Sequence, residues 1–131
     1  MTNSIELNFI LNNEKKAIEV PTCLTLIDLV REKFNLYGTN VSCNQGVCGA
    51  CTIIVDGRPV AACHKFAFEI DGSNIITIEG LAKKNGALDP VQEAFADLSA
   101  FQCGFCTSGM IMMSRALLDE NPNPSDEIIK E

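Results

Sequence analysis

Six of the seven cysteines in this 131-residue chain fall into two groups. The stretch "SCNQGVCGACT" carries Cys43, Cys48 and Cys51 in the spacing C-x4-C-x2-C, and Cys63 follows Cys51 with eleven residues between them. The stretch "FQCGFCTSGM" carries Cys103 and Cys106, with neither cysteine nor histidine after them. Cys23 stands alone. The count is odd, and the N-terminus "MTNSIELNFI" shows neither a basic segment nor a long apolar one of the secretory kind. The expected compartment is therefore the cytoplasm, where disulfides are rare. Metal or redox chemistry becomes the leading use of these thiols.

The first four cysteines form a complete set. "TIIV" and "RPVAA" flank Asp56-Gly57, a strong two-residue hairpin turn. With that turn Val55 faces Arg58, and the same register carries Cys63 opposite Ala50, one residue from Cys51. The hairpin returns a fourth thiolate to the loop that holds the other three. C-x4-C-x2-C with a distant fourth cysteine matches plant-type [2Fe–2S] ligation. Such a loop must bend tightly, and Gly46 and Gly49 supply positive-φ positions that let backbone N–H groups approach the sulfurs. Those donors offset the negative charge of a cluster.

Other uses of the same residues fit less well. Structural zinc sites favour paired C-x2-C spacings. A Rieske centre needs two histidines, and the chain has only His64, read here as an ordinary polar neighbour of Cys63. Cys23, among apolar residues, is read as a small buried hydrophobe. "CGFC" at a helix start also suits a thiol–disulfide protein, but no thioredoxin-like βαβ pattern precedes it.

The elements that must position these thiols follow from patterning. Ile5, Leu7, Phe9 and Leu11 alternate as one face of a strand. "NNEK" is a turn, and residues 16–20 are the return strand, stopped by Pro21. Residues 25–34 have helical spacing, with Thr25 and Asp28 as a capping box and Gly38 ending the segment. Hairpin then helix is how a β-grasp fold opens. Residues 38–51 are loop, and residues 74–80 are a last strand. Beyond residue 81 the character is helical. One helix is capped by Asp89 with Pro90 at its first position. A second is capped by Thr107 or Ser108, and a third starts at Ser125. The fold class is α+β, with residues 1–80 and 81–131 as two parts and no internal repeat.

Composition agrees with a soluble folded chain: 47% hydrophobic and 21% charged residues leave room for a core. A net charge of −7 argues against nucleic acid and anionic membranes as partners. No apolar run is long enough for membrane insertion.

"SCNQGVCGACTIIVDGRPVAAC" followed by "LDPVQEAFADLSAFQCGFCTSGMIMMSRALLDENPNPSDEI" resembles the small iron–sulfur subunit of the molybdenum hydroxylases, the family of xanthine dehydrogenase, aldehyde oxidoreductase and aerobic-type carbon monoxide dehydrogenase. The resemblance implies a ferredoxin-like β-grasp domain and a C-terminal helical bundle, each holding one [2Fe–2S] cluster. It implies a large subunit with molybdopterin, which does the chemistry, and FAD on a medium subunit. It assigns Cys43, Cys48, Cys51 and Cys63 to the outer cluster, Cys103 and Cys106 to half of the inner one, and Gln102 to the neighbourhood of the pterin. No catalytic residue is expected in this chain.

The chain departs from that family in one respect. The Cys-x-Cys motif expected shortly after "NPNP" is absent, and the third helix begins with a proper cap yet has only a few residues. The expectation is a truncated chain or a split gene, with one complete cluster site and one half-site. The competing function is a free-standing [2Fe–2S] ferredoxin, against which the helical extension argues.

Overall fold

The structure, a computed structural model, describes residues 3–131. Strand β1 (Ser4–Leu11) pairs antiparallel with β2 (Glu14–Pro21), with Ser4 opposite Pro21 and Leu11 opposite Glu14. Leu7, Phe9 and Leu11 point into the core as their alternation predicts. Ile5 shares their face but lies past the edge of the core and is exposed. Strands β3 (Thr52–Val55) and β4 (Arg58–Ala61) form the hairpin around Asp56-Gly57 with Val55 opposite Arg58. Strand β5 (Asn74–Ile76) runs parallel to β1 and antiparallel to β3, so the sheet order is β2-β1-β5-β3-β4.

Helix α1 (Leu26–Asp28) continues as a π-helical turn (Leu29–Lys33). Thr25 caps it as read: its Oγ1 accepts from the Asp28 N–H at 3.2 Å. The helix stops well before Gly38. Asn35 adopts φ +55° just past its end, and the Leu36 N–H reaches back to the Val30 carbonyl at 2.9 Å. This is a left-handed C-terminal cap with asparagine in the role often held by glycine. Leu26, Leu29 and Val30 are fully buried against Leu7, Phe9, Val20, Ile53, Ile70 and Ile75.

The last strand is shorter than its pattern. After Ile76 the chain leaves the sheet, because Asn12 captures Thr77 on two sides: Asn12 Oδ1 accepts from the Thr77 N–H, and Asn12 Nδ2 donates to Thr77 Oγ1, both at 2.9 Å. A 3-10 turn (Ile78–Gly80) follows.

Helix α2 (Pro90–Asp97) is capped by Asp89, whose Oδ1 accepts from the Val91 N–H at 2.9 Å, with Gln92 closing the capping box. Helix α3 (Thr107–Glu120) begins one residue earlier than its sequence suggests. Cys106 holds the N-cap position without a side-chain bond, and Thr107 and Ser108 lie inside the helix. Helix α4 (Asp126–Lys130) starts on its Ser125 cap. The helices pack directly on the sheet. Every residue of β3 is buried, since Ile53 faces the main core while Ile54 packs beneath Met112 and Ala116 of α3. That explains why "TIIV" is apolar throughout instead of alternating. No helix among the described residues is long and apolar enough to cross a membrane.

Candidate metal centre

The loop between the π-helical turn and β3 is pinned at its start. Arg31 Nη1 donates to the carbonyls of Thr39 and Tyr37, at 2.6 and 3.1 Å, and Glu79 Oε1 accepts from the Gly38 N–H at 2.7 Å. It is pinned at its end by Thr52, whose N–H and Oγ1 both donate to the Gly49 carbonyl, at 3.1 and 2.7 Å. Between those anchors the chain wraps inward on the sulfurs. The N–H groups of Gln45, Val47 and Cys48 all point at Cys43 Sγ, at 3.3, 3.4 and 3.4 Å. The Ala50 N–H points at Cys48 Sγ at 3.5 Å, and the Cys63 N–H at Cys51 Sγ at 3.4 Å.

Gly46 and Gly49 make that wrapping possible. Both have positive φ, +73° and +77°, as the sequence predicts. Gly46 is also boxed in: a Cβ there would lie 2.9 Å from Cβ of His64. His64 is exposed, and its backbone-proximal atoms form the lid under which Gly46 passes.

The hairpin register holds to its last pair, Thr52 opposite Ala61. Beyond it the Ala62 N–H still bonds to the Cys51 carbonyl at 3.3 Å, and then a 3-10 turn (Ala62–His64) lifts the chain out of the ladder. Cys63 therefore presents its N–H and its thiol to Cys51, where simple continuation of the strand would have set it opposite Ala50.

The thiols sit two by two. Cys43 lies against Cys48, and Cys63 against Cys51. The backbone N–H groups of Cys48, Gln45 and Val47 pull the Cys43 thiol down to about 6, so it holds a thiolate readily. Burial pushes the Cys63 thiol up, helped by the neighbouring Cys51, while the Gly46 N–H opposes the shift. Cys51 and Cys63 are buried, Cys43 is half-buried and Cys48 is exposed. Two pairs of thiols, with N–H groups arrayed around them, suit a two-iron core that needs its negative charge offset. Four donors on one zinc ion is the poorer fit.

The second cysteine group lies on the surface. Gln102, Cys103 and Cys106 are all exposed and together line a cleft of about 550 Å³ with Phe101, Gly104 and Met110. Cys106 also borders a second cleft of about 550 Å³, shared with Cys48, Gly49, Phe95, Gly109 and Met113. One cysteine of each group, Cys48 and Cys106, thus borders the same groove. Cys23 corrects its sequence reading: it is exposed. The Leu24 N–H bonds to the Pro21 carbonyl at 3.0 Å, closing a turn that turns Cys23 outward. Asn40, which donates to the Phe105 carbonyl, and Gly109, buried against Gly49 and Ala50, escaped the sequence reading. Only Gly109 left a trace there, as a glycine within a helical pattern, where it weakens the helix and marks a close approach.

A sheet-and-helix fold whose cysteine loop aims backbone N–H groups at paired thiols defines an iron–sulfur electron carrier. Residues 12–102 match the family described as "2Fe-2S iron-sulfur cluster binding domain", and residues 77–131 match the "[2Fe-2S] binding domain". The nicotinate dehydrogenase small FeS subunit of Eubacterium barkeri is 45% identical over 127 residues, spanning 97% of this chain and 80% of the relative. A probable xanthine dehydrogenase subunit of Bacillus subtilis is 51% identical over 112 residues, spanning 86% of this chain and 63% of the relative. The crystal structure of quinoline 2-oxidoreductase from Pseudomonas putida superposes with a TM-score of 0.91 at 39% identity, covering 97% of this chain and 78% of that one.

The chain belongs to the small iron–sulfur subunits of the molybdenum hydroxylases. It is an electron-transfer subunit of an oxidoreductase complex.

Proposed function

We propose that Cys43, Cys48, Cys51 and Cys63 hold one [2Fe–2S] cluster, and that Cys103 and Cys106 supply half the ligands of a second. In this reading the partners are a molybdopterin-binding large subunit and an FAD-binding medium subunit, in the cytoplasm. Residues 1–80 form the ferredoxin-like part and residues 81–131 the helical part. When bound, a [2Fe–2S] centre takes up and releases one electron at a time.

The observation that carries the reading is the set of five backbone N–H groups directed at three of the four sulfurs of the first site. Amides so arranged stabilise anionic sulfur without adding a formal charge. The second site differs in kind. Its cysteines are exposed, beside Phe101 and Phe105, which are also exposed, as expected of a face that meets a partner. Gln102 lies on that face, which we take as the side where electrons enter from the pterin. The exit is the rim of the first loop, where the largely exposed Val47 faces outward towards FAD or another acceptor.

The test is isolation of the chain from its native host with its partners. The expected result is a red-brown complex containing molybdenum, with iron and acid-labile sulfide in equal amounts. A colourless chain with stoichiometric zinc would sink the reading. Iron equivalent to a single cluster in the intact complex would leave the first site and remove the second.

A further inference from the structure

We propose that Gly109 and Asn40 are positioning residues that fix the spacing between the two cysteine sites. The inference rests on the reading of Cys103 and Cys106 as half of a second cluster site. It adds what holds that half-site at a set distance from the first.

Gly109 is buried where α3 crosses the first cysteine loop. A Cβ at this position would lie 2.2 Å from the Gly49 carbonyl oxygen, 2.8 Å from that of Ala50, and 2.9 Å from the Ala50 carbonyl carbon. All three are backbone atoms, so no side chain can swing aside to make room. The Gly49 oxygen is held in addition by both donors of Thr52. The loop side of the contact is therefore anchored.

Its place in the sequence gives it a role. Gly49 and Ala50 directly follow Cys48. Gly109 lies three residues after Cys106, one helical turn away. This close backbone approach between helix and loop thus stands next to one cysteine of each group. A glycine inside a helix costs about 1 kcal/mol relative to alanine, and here the close approach is the physical reason to have one.

Asn40 supplies a second, separate strap. Its Nδ2 donates to the Phe105 carbonyl at 2.9 Å. Asn40 lies three residues before Cys43, and Phe105 immediately precedes Cys106. One strap alone would let α3 pivot about it. Two straps, on either side of Cys106, together with Met112 packed on Ile54, leave the second loop one position relative to the first. Electron passage between two centres falls steeply with their separation, so this spacing governs how well the subunit conducts.

The test uses the intact complex in three forms: unmodified, Gly109→Ala and Asn40→Asp. The aspartate keeps the shape of asparagine but removes the donor and sets a carboxylate against the Phe105 carbonyl. Iron content and visible absorption report whether both sites are filled. Low-temperature electron paramagnetic resonance of the fully reduced complex reports the magnetic splitting between the two centres, which falls with the cube of their distance. The expected result is unchanged iron with a shifted splitting in both variants, and several-fold slower transfer between the centres. Full iron with an unaltered splitting in both variants would overturn the proposal. If Gly109→Ala loses iron through misfolding, Asn40→Asp decides by the same criterion. An unmodified complex with only one cluster would overturn the two-site reading itself, and this inference with it.

Discussion

The backbone N–H of Cys63 points at the sulfur of Cys51 across 3.4 Å, at the place where the β3–β4 hairpin gives way to a 3-10 turn. That contact joins the fourth cysteine to the other three. Its partner in the loop is Gly46, whose N–H approaches the Cys63 thiol while its Cα slides beneath His64. The two positions are bound to each other: moving either disturbs the other.

Gly46→Ala tests this directly. The substitution places an L side chain at φ +73°, costing about 1–2 kcal/mol, and drives a Cβ to 2.9 Å from His64. The expected outcome is loss of the first cluster, read as iron and visible absorbance. Gly57→Ala is the matched comparison. Its φ is +80° but nothing lies within 4 Å of the added Cβ, so it bears the backbone strain alone. It should lower stability and keep its iron. Equal iron in the two variants would show that the His64 contact is unimportant.

Cys48→Ser and Cys51→Ser should both remove the first cluster, but they should differ in the stability of the metal-free protein. Cys48 is exposed, so its hydroxyl replacement remains solvated. Cys51 belongs to the main core beside Ile53 and Ala62. A hydroxyl there loses water and, on a bond shorter than that to sulfur, reaches the Cys63 N–H less well, at a cost of about 1–3 kcal/mol. Urea denaturation of the two metal-free variants checks the difference, and coincident midpoints would contradict it.

Much of this architecture is written locally. Alternation in β1, the Asp-Gly turn and the Asp89-Pro90 start each depend on neighbours in the sequence, and each forms as its pattern dictates. The departures have long-range causes. β5 ends early because Asn12, distant in sequence, captures Thr77. Cys23 is exposed because a turn closed by Pro21 and Leu24 overrides the apolar character of its surroundings. The cysteine spacing of the first site pointed to the iron–sulfur chemistry that the matched families carry, because such a loop is a short-range object. The Gly109 and Asn40 contacts were illegible, since they join stretches about 60 residues apart that nothing in either stretch pairs.

Asp89 combines two roles that substitution can separate. Its side chain caps α2 and also lies 3.6 Å from Arg115 Nη1 of α3, with both side chains largely shielded. Asp89→Asn keeps a good cap and loses only the charge pair, worth up to about 1 kcal/mol. Asp89→Ala loses both and should cost about 1–2 kcal/mol. Arg115 Nε is already buried without a partner, which makes the guanidinium more dependent on Asp89 and Asp119. Thermal unfolding should rank the melting temperatures unmodified, Asn, Ala. An Asn variant no better than Ala would assign the whole effect to the ion pair.

Met112 and Met113 are sequence neighbours with opposite surroundings, and they test how the helical part is held. Met112 is fully buried between α3 and β3, against Ile54 and Ala116, with Ile76, Ile78 and Leu81 packed around them. Met113 is 48% exposed and borders the groove between the two cysteine groups. Met112→Ala removes a packed side chain and leaves a cavity, at a cost of about 2–5 kcal/mol. Met113→Ala should change stability by no more than about 0.5 kcal/mol. The consequence reaches the metal sites, because Met112 is one turn below Gly109 and holds α3 down onto the Gly49 carbonyl. Loosening it should raise hydrogen exchange in α3 and in residues 48–50 together, while β1 and β2 remain protected. Exchange that rises in α3 alone would show that the helix does not support the first cysteine loop.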